Sequence, residues 1–289
     1  MLLLAHAALP GRIEAATVDH GLRAESADEA AEVARVCAGL GVPHAMLAIA
    51  MGEGNVQAEA RAGRYAAMAA WMAERGLIAL ITAHHADDQA ETLLMRLNRG
   101  SGVAGLAGVR ERGPLPGGGE GLLLLRPLLG WRRAELGAIV DAVGLTAADD
   151  PSNRNVAYDR VRLRGHLAGA DWLDVTAIAA SAQHLADADA AIEWLTEREW
   201  AHCVKRDGLG LTYRPQAPRA VALRVLARVV VALDGGDVRG GALARLFDSL
   251  VAGQPASIGE LVARPGPSGW SLTRAPQRRV HAPEPRDTI

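Results

Sequence analysis

Lysine is almost absent from this chain: Lys205 is the only one in 289 residues, so every other fixed positive charge is arginine. Anion contacts must therefore come from planar guanidinium forks rather than ammonium points. Aromatic residues are scarce too, at 3%, with one phenylalanine and three tyrosines. A core of this composition has to be leucine, valine and alanine, with the six tryptophans as its large anchors. Only two cysteines occur, Cys37 and Cys203, far apart and in no CxxC spacing. That excludes a disulfide framework and a cysteine-held metal or iron–sulfur cluster, and it fits a reducing compartment. The opening run MLLLAHAALP is too short to span a bilayer and lacks the basic flank of a secretory signal. We therefore expect a cytoplasmic protein with no membrane partner. A formal net charge of -2 excludes indiscriminate coating of nucleic acid but leaves room for a local basic groove.

What is present is a chain with 49% apolar residues, long enough for two domains on a prior of about 150 residues each. Residues 2–9 read as a helix stopped at Pro10-Gly11, and Ile13 to Val18 as a short buried strand. A helix to about Leu40, a strand from His44 to Ile49, a helix from Val56 to Arg75 and a strand from Leu77 to Ile81 follow. This alternation predicts an α/β fold, a Rossmann-like parallel sheet with helices on both faces, whose ligands bind at the carboxyl ends of the strands. The stretch RERGPLPGGGEG after residue 109 reads as a mobile surface loop. Leu122 to Leu125 is a further strand and Arg132 to Val143 a helix. We place the boundary near residue 170. Residues 171–289 should form a smaller, mostly helical region, helical to about Arg206, with a strand at Gly210 to Tyr213 and a hairpin at Leu261 to Arg264 and Trp270 to Arg274.

One stretch concentrates the chemistry. Thr82 to Gly102 reads TAHHADDQAETLLMRLNRGSG, directly after an apolar strand. With a helix starting near His84, steps of roughly 100° per residue put His84, Asp88 and Glu91 within about 60° of one another. Ala86, Ala90, Leu93, Leu94 and Leu97 then form the opposite, buried face. A solvated helix face with acids near its N-terminus has the same pattern. Its position after a strand favours a site in which Asp88 and Glu91 hold a hydrated Mg²⁺ against phosphates and His84 steers a proton. Arg160 and Arg164, four apart in YDRVRLR, are either solvent charges or a phosphate clamp. Gly100 and Gly102 are either a helix stop or exposed amides facing a nucleotide.

TVDHGLRAES (Thr17 to Ser26), EARAGRY (Glu59 to Tyr65), the Thr82 to Gly102 stretch, RPLLGWRRAEL (Arg126 to Leu136) and DPSN followed by YDRVRLR occur in that order. Together they resemble the tRNA(Ile)-lysidine synthetase family across roughly the first 165 residues. SIGELVARPGPSGWSLTRAPQRR near the end is similar to that family's C-terminal part. The resemblance implies a PP-loop ATP pyrophosphatase domain, at residues 1–170, joined to a tRNA-recognition region at 171–289. It implies a ligase that uses ATP and Mg²⁺ to adenylate the wobble cytidine of tRNA(Ile) bearing a CAU anticodon. L-lysine then displaces AMP to form lysidine. Family catalytic positions carry over to His84, Asp88, Glu91 and Arg64, and to Arg160 first or Arg164 second. Val18, Asp19 and His20 would lie beside the nucleotide, and Arg274, Arg278 and Arg279 against tRNA phosphates.

Two departures stand out. The family usually has Arg-Asn where this chain has Arg160-Val161, so a side-chain amide is missing. The family's Ser-Gly-Gly-x-Asp-Ser phosphate loop and the strand before it have no match, and MLLLAHAAL is what should follow them. Each buried strand side chain contributes about 1.5–3 kcal/mol, against a domain stability of about 5–15 kcal/mol. We therefore expect Met1 to be internal to a longer reading frame, which the upstream DNA tests: an in-frame stop before any such loop refutes it. Two other readings stay open on the sequence. One is a tRNA-binding protein that has kept the fold and lost the ATP chemistry. The other is a related PP-loop tRNA-modifying enzyme such as a thiolase, although thiolases should show cluster-binding cysteines.

Overall fold

The computed structural model describes residues 1–19, 25–49, 56–119, 121–147, 155–234, 236 and 240–275. The chain divides into two compact units, Met1–Ala186 and Asp187–Ile289. In the first, α1 (Leu2–Ala8) precedes β1 (Ala15–Asp19), α2 (Glu25–Leu40), β2 (His44–Ala48), α3 (Val56–Arg75), β3 (Ala79–Ile81) and α4 (Ala86–Leu97). The expected alternation of strand and helix is therefore present in order. Strands β1 and β2 pair in parallel, from Ala15 opposite His44 to Asp19 opposite Ala48.

Strand β3 pairs in parallel with β5 (Leu123–Leu125), and β4 (Arg112–Pro114) adds to β5 antiparallel. Helices lie on both faces, α2 and α3 packing on β1 and β2. Strand β4 falls in the stretch expected to be a mobile loop. Its Leu115 neighbour is buried with Tyr65, Met72 and Leu124, so one apolar side chain among the glycines anchors the segment. The short α5 (Val103–Leu106), α6 (Arg133–Ala142) and α7 (Asp159–Ala168) complete the elements that frame the site.

Helix α8 (Val175–Cys203) contains the division between the units. The helix expected to reach Arg206 stops at Cys203, where β6 (Val204–Asp207) begins. The strand and hairpin foreseen in the second unit are β7 (Gly210–Tyr213), β9 (Leu261–Gly266) and β10 (Gly269–Arg274). With β6 and β8 (Ala256–Ile258) they form one antiparallel sheet in the order β6-β7-β10-β9-β8. Helices α9 (Arg219–Asp234) and α10 (Gly240–Val251) pack on it. The spacing of Val221, Ala222, Val225, Leu226, Val229 and Val230 gives α9 a continuous buried stripe. Three of the ten aromatics meet here: Trp270 packs edge-on against Tyr213 and Phe247, with ring centroids 5.8 and 5.5 Å away, while Trp131, Trp172 and Trp194, expected as core anchors, are exposed.

Candidate active site

Helix α4 begins two residues later than the sequence pattern indicates. His85 is its N-cap, with φ -130, and the Ala86 N–H donates to the Trp131 carbonyl at 2.8 Å. His84 therefore stands outside the helix, in the turn leaving β3, rather than on a helical face. Its Nδ1 is 2.9 Å from Thr82 Oγ1, which fixes the ring and leaves Nε2 for exchange. Asp88 occupies the third helical position, and its Oδ2 accepts the His85 backbone N–H at 3.0 Å. That bond satisfies one of the orphan donors of the first turn. Asp87 beside it accepts from the Arg133 N–H at 2.8 Å and from both Nε and Nη2 of Arg132. Burial works against its ionised form, yet the Arg132 hydrogen bonds and the Arg133 N–H outweigh it and hold the Asp87 carboxyl below the usual range. The N-termini of α4 and α6 are thereby tied together through one carboxylate.

Glu91 is the centre of the arrangement. It is 2% exposed, on the side of the helix that the sequence pattern assigns to chemistry. Arg164 holds it bidentately, Nε to Oε1 at 2.8 Å and Nη2 to Oε2 at 3.2 Å. Arg160 brings its Nε to 3.0 Å from Oε2 in an ion pair off the hydrogen-bonding direction. The Arg160 Nη2 donates to Thr92 Oγ1 at 2.8 Å. The Glu91 hydrogen bond raises the Arg164 guanidinium above its ordinary value against the pull of burial, and Asp88 and Asp87 add to the rise. Two guanidiniums share one buried carboxylate, so the pair is held rigidly with a surplus of positive charge.

His84 reports that surplus. Burial lowers the imidazole below its ordinary value, and Arg126, Arg61 and Arg160 push in the same direction against the opposing Asp88. A histidine whose folded value lies below its unfolded 6.5 contributes stability that is complete above 6.5. That contribution is lost as pH falls through the folded value. We expect the wild type to lose more stability than His84→Gln between about pH 7 and about pH 5. Thermal melts across that range check it, and parallel declines in the two proteins would contradict it.

The remaining sequence-predicted residues are placed as follows. Arg64 is exposed on α3. Val18 and Asp19 end β1, and the Asp19 carbonyl accepts from the Ile49 N–H. His20, Arg278 and Arg279 lie outside the described residues. Arg274, in the second unit, donates from Nε to the Leu233 carbonyl at 2.7 Å. Gly100, at φ +66, ends α4 while the Ser101 N–H returns to the Arg96 carbonyl, and Gly102 caps α5. Asp88 and Glu91, expected to hold Mg²⁺ together, have protein partners here: Asp88 accepts the His85 N–H, and arginine donors reach both Glu91 oxygens. Leu97, expected on the buried face, is 55% exposed at the helix end.

Several contributors were not read from the sequence. Arg126 is 8% exposed, donates from Nη1 to the Arg110 carbonyl, and has a buried Nε with no hydrogen-bond partner among the described residues. Gln89 both donates to and accepts from the Val109 backbone, at 2.8 and 2.6 Å. Arg96 donates to the carbonyls of Gly105 and Gly108. These two side chains pin the glycine-rich segment after α4. A Cβ on Gly108, at φ +63, would lie 2.4 Å from Gln89 Oε1. Gly108→Ala is accordingly expected to cost about 1–3 kcal/mol, read as a fall in denaturation midpoint. An unchanged midpoint would show that the segment adjusts freely.

With this geometry in view, the PP-loop domain family matches residues 2–170. A tRNA(Ile)-lysidine synthase from Novosphingobium aromaticivorans is 48% identical over 282 residues, covering 96% of this chain and 86% of the relative. One from Zymomonas mobilis is 42% identical over 283 residues, covering 96% and 85%. A solved U34-tRNA thiolase from Methanococcus maripaludis aligns over 63% of this chain and 64% of its own, at 14% identity and a TM-score of 0.49.

Proposed function

The chain belongs to the tRNA(Ile)-lysidine synthase family, on a PP-loop domain that implies ATP use, and from that premise we propose that it ligates L-lysine to the wobble cytidine of tRNA(Ile) bearing a CAU anticodon. The observation that carries the reading is Glu91 buried between Arg160 and Arg164. In the first step the cytidine O2 attacks the α-phosphorus of ATP and pyrophosphate leaves. In the second the lysine ε-amine attacks C2, AMP leaves, and the amine proton passes to a base. Negative charge develops on the phosphate oxygens and then on departing AMP. Guanidiniums already fixed by a buried carboxylate stabilise that charge without reorganising at the moment of reaction. The Arg126 Nε, without a hydrogen-bond partner among the described residues, is a further buried donor beside His84 suited to an oxyanion.

His84, neutral because of burial and neighbouring arginines, is suited to accept a proton near neutral pH. Asp88 supplies the opposing charge that keeps that imidazole from becoming too weak a base. Mg²⁺ is assigned to the ATP phosphates it accompanies. Arg64, Val18, Asp19, His20, Gly100 and Gly102 are proposed on the nucleotide side, and Arg274, Arg278 and Arg279 toward tRNA, on the family resemblance. Residues 1–170 are assigned to the ATP chemistry and 171–289 to tRNA recognition. The test is transfer of radiolabelled lysine to RNA: incorporation should need ATP, lysine and CAU-bearing tRNA(Ile) together, with one AMP per lysine. Lysine-independent ATP cleavage to ADP would contradict it.

A further inference from the structure

A cavity of about 740 Å³ lies between α4 and α7, within the first unit. Arg160 and Arg164, which pair with Glu91, line it together with Arg96, Arg99, Asp159, Tyr158 and Met95. The charge is uneven: four arginines face one acid, Asp159, which contacts Arg99 at 3.2 Å and also pairs with Arg162. Burial, with Arg110 and Arg160 nearby, lowers the Arg96 guanidinium below its ordinary value, and its Nη1 is spent on neutral carbonyls. An anion entering the cleft relieves that repulsion. The Tyr158 ring is 41% exposed beside the charged wall, so the cleft offers an aromatic face next to guanidinium forks. That pairing suits a nucleotide, whose base stacks while its phosphate takes the arginines.

We propose that this cleft binds a nucleotide of the tRNA strand adjacent to the one that reacts, its base on Tyr158 and its backbone phosphate at Arg99 and Arg96, with Asp159 displaced from Arg99. The inference rests on the tRNA reading above and adds a recognition role for Tyr158 and Arg99. The alternative source of the same chemistry is the triphosphate of ATP.

The experiment measures binding of a labelled CAU anticodon stem–loop RNA by anisotropy over a range of salt, beside the KM for ATP and wild-type lysine transfer. Tyr158→Ala should weaken RNA binding by roughly 10-fold, with Tyr158→Phe near wild type. Arg99→Ala should weaken it and reduce the salt slope by about 1. Asp159→Asn should tighten it, an outcome no misfolded variant can give. The KM for ATP should hold in all of them. RNA binding unmoved while the KM for ATP rises would assign the cleft to the triphosphate and overturn the proposal, and so would both quantities unmoved. Wild-type lysine transfer separates the two failures: its absence sinks the family reaction, while unmoved RNA affinities sink the cleft.

Discussion

Glu91→Ala is expected to lower kcat/KM for lysine transfer on the order of 10³-fold and to destabilise the fold by about 2–4 kcal/mol. The carboxylate is 3% exposed at its side chain, while Arg160 and Arg164 are 42% and 34% exposed. Breaking a fully desolvated pair costs about 3–5 kcal/mol, and partial solvation of the arginines reduces that. The catalytic loss is larger because both guanidiniums lose the group that fixes them. Glu91→Gln keeps an acceptor and should recover part of the stability but little of the rate. Urea titrations and steady-state rates, both taken well below the melting point, separate the two effects. A variant that is less stable yet transfers lysine at the wild-type rate would reduce Glu91 to packing.

Asp88→Asn should do the opposite to the balance of stability and rate. The amide oxygen still accepts the His85 N–H, so stability should change by less than about 0.5 kcal/mol. The charge is gone, and adenylation should fall by about 10²–10⁴-fold. Asp88→Ala should lose the cap as well, for about a further 1 kcal/mol, with RNA affinity retained in both. Asp88 raises His84 against burial and the surrounding arginines. Its removal lets the imidazole fall further, so the acidic limb of the residual rate profile should move to lower pH. An unshifted profile with an unchanged rate would remove Asp88 from the chemistry.

The elements of the first unit were legible because their cues are local: short apolar strands, helices with one apolar stripe, and a helix stop at Pro10-Gly11. The start of α4 was not. It is set by the Ala86 N–H meeting the Trp131 carbonyl, a partner from a distant loop that no window around His84 contains. The burial of Glu91 was hidden for the same reason, since its bidentate partner Arg164 lies 73 residues on in α7. Arginine spacing in YDRVRLR suggested a clamp, and the structure adds that the clamp closes on a carboxylate of the protein. In the second unit one strand and one hairpin were read, but their union into one sheet depends on pairings such as Trp270 with Tyr213. The role of Arg126 had no local signature, although it opens a segment quoted for the resemblance.

The central claim about this site is that the Glu91, Arg160 and Arg164 cluster serves transfer of AMP to RNA. The direct measurement supplies ATP labelled at the α-phosphorus with CAU-bearing tRNA(Ile) and no lysine, followed by a lysine chase. Label should appear on the RNA before the chase and AMP should be released as lysine joins, with both events slowed on the order of 10³-fold in Glu91→Ala. RNA that never carries the label, while lysine is still incorporated, would contradict it.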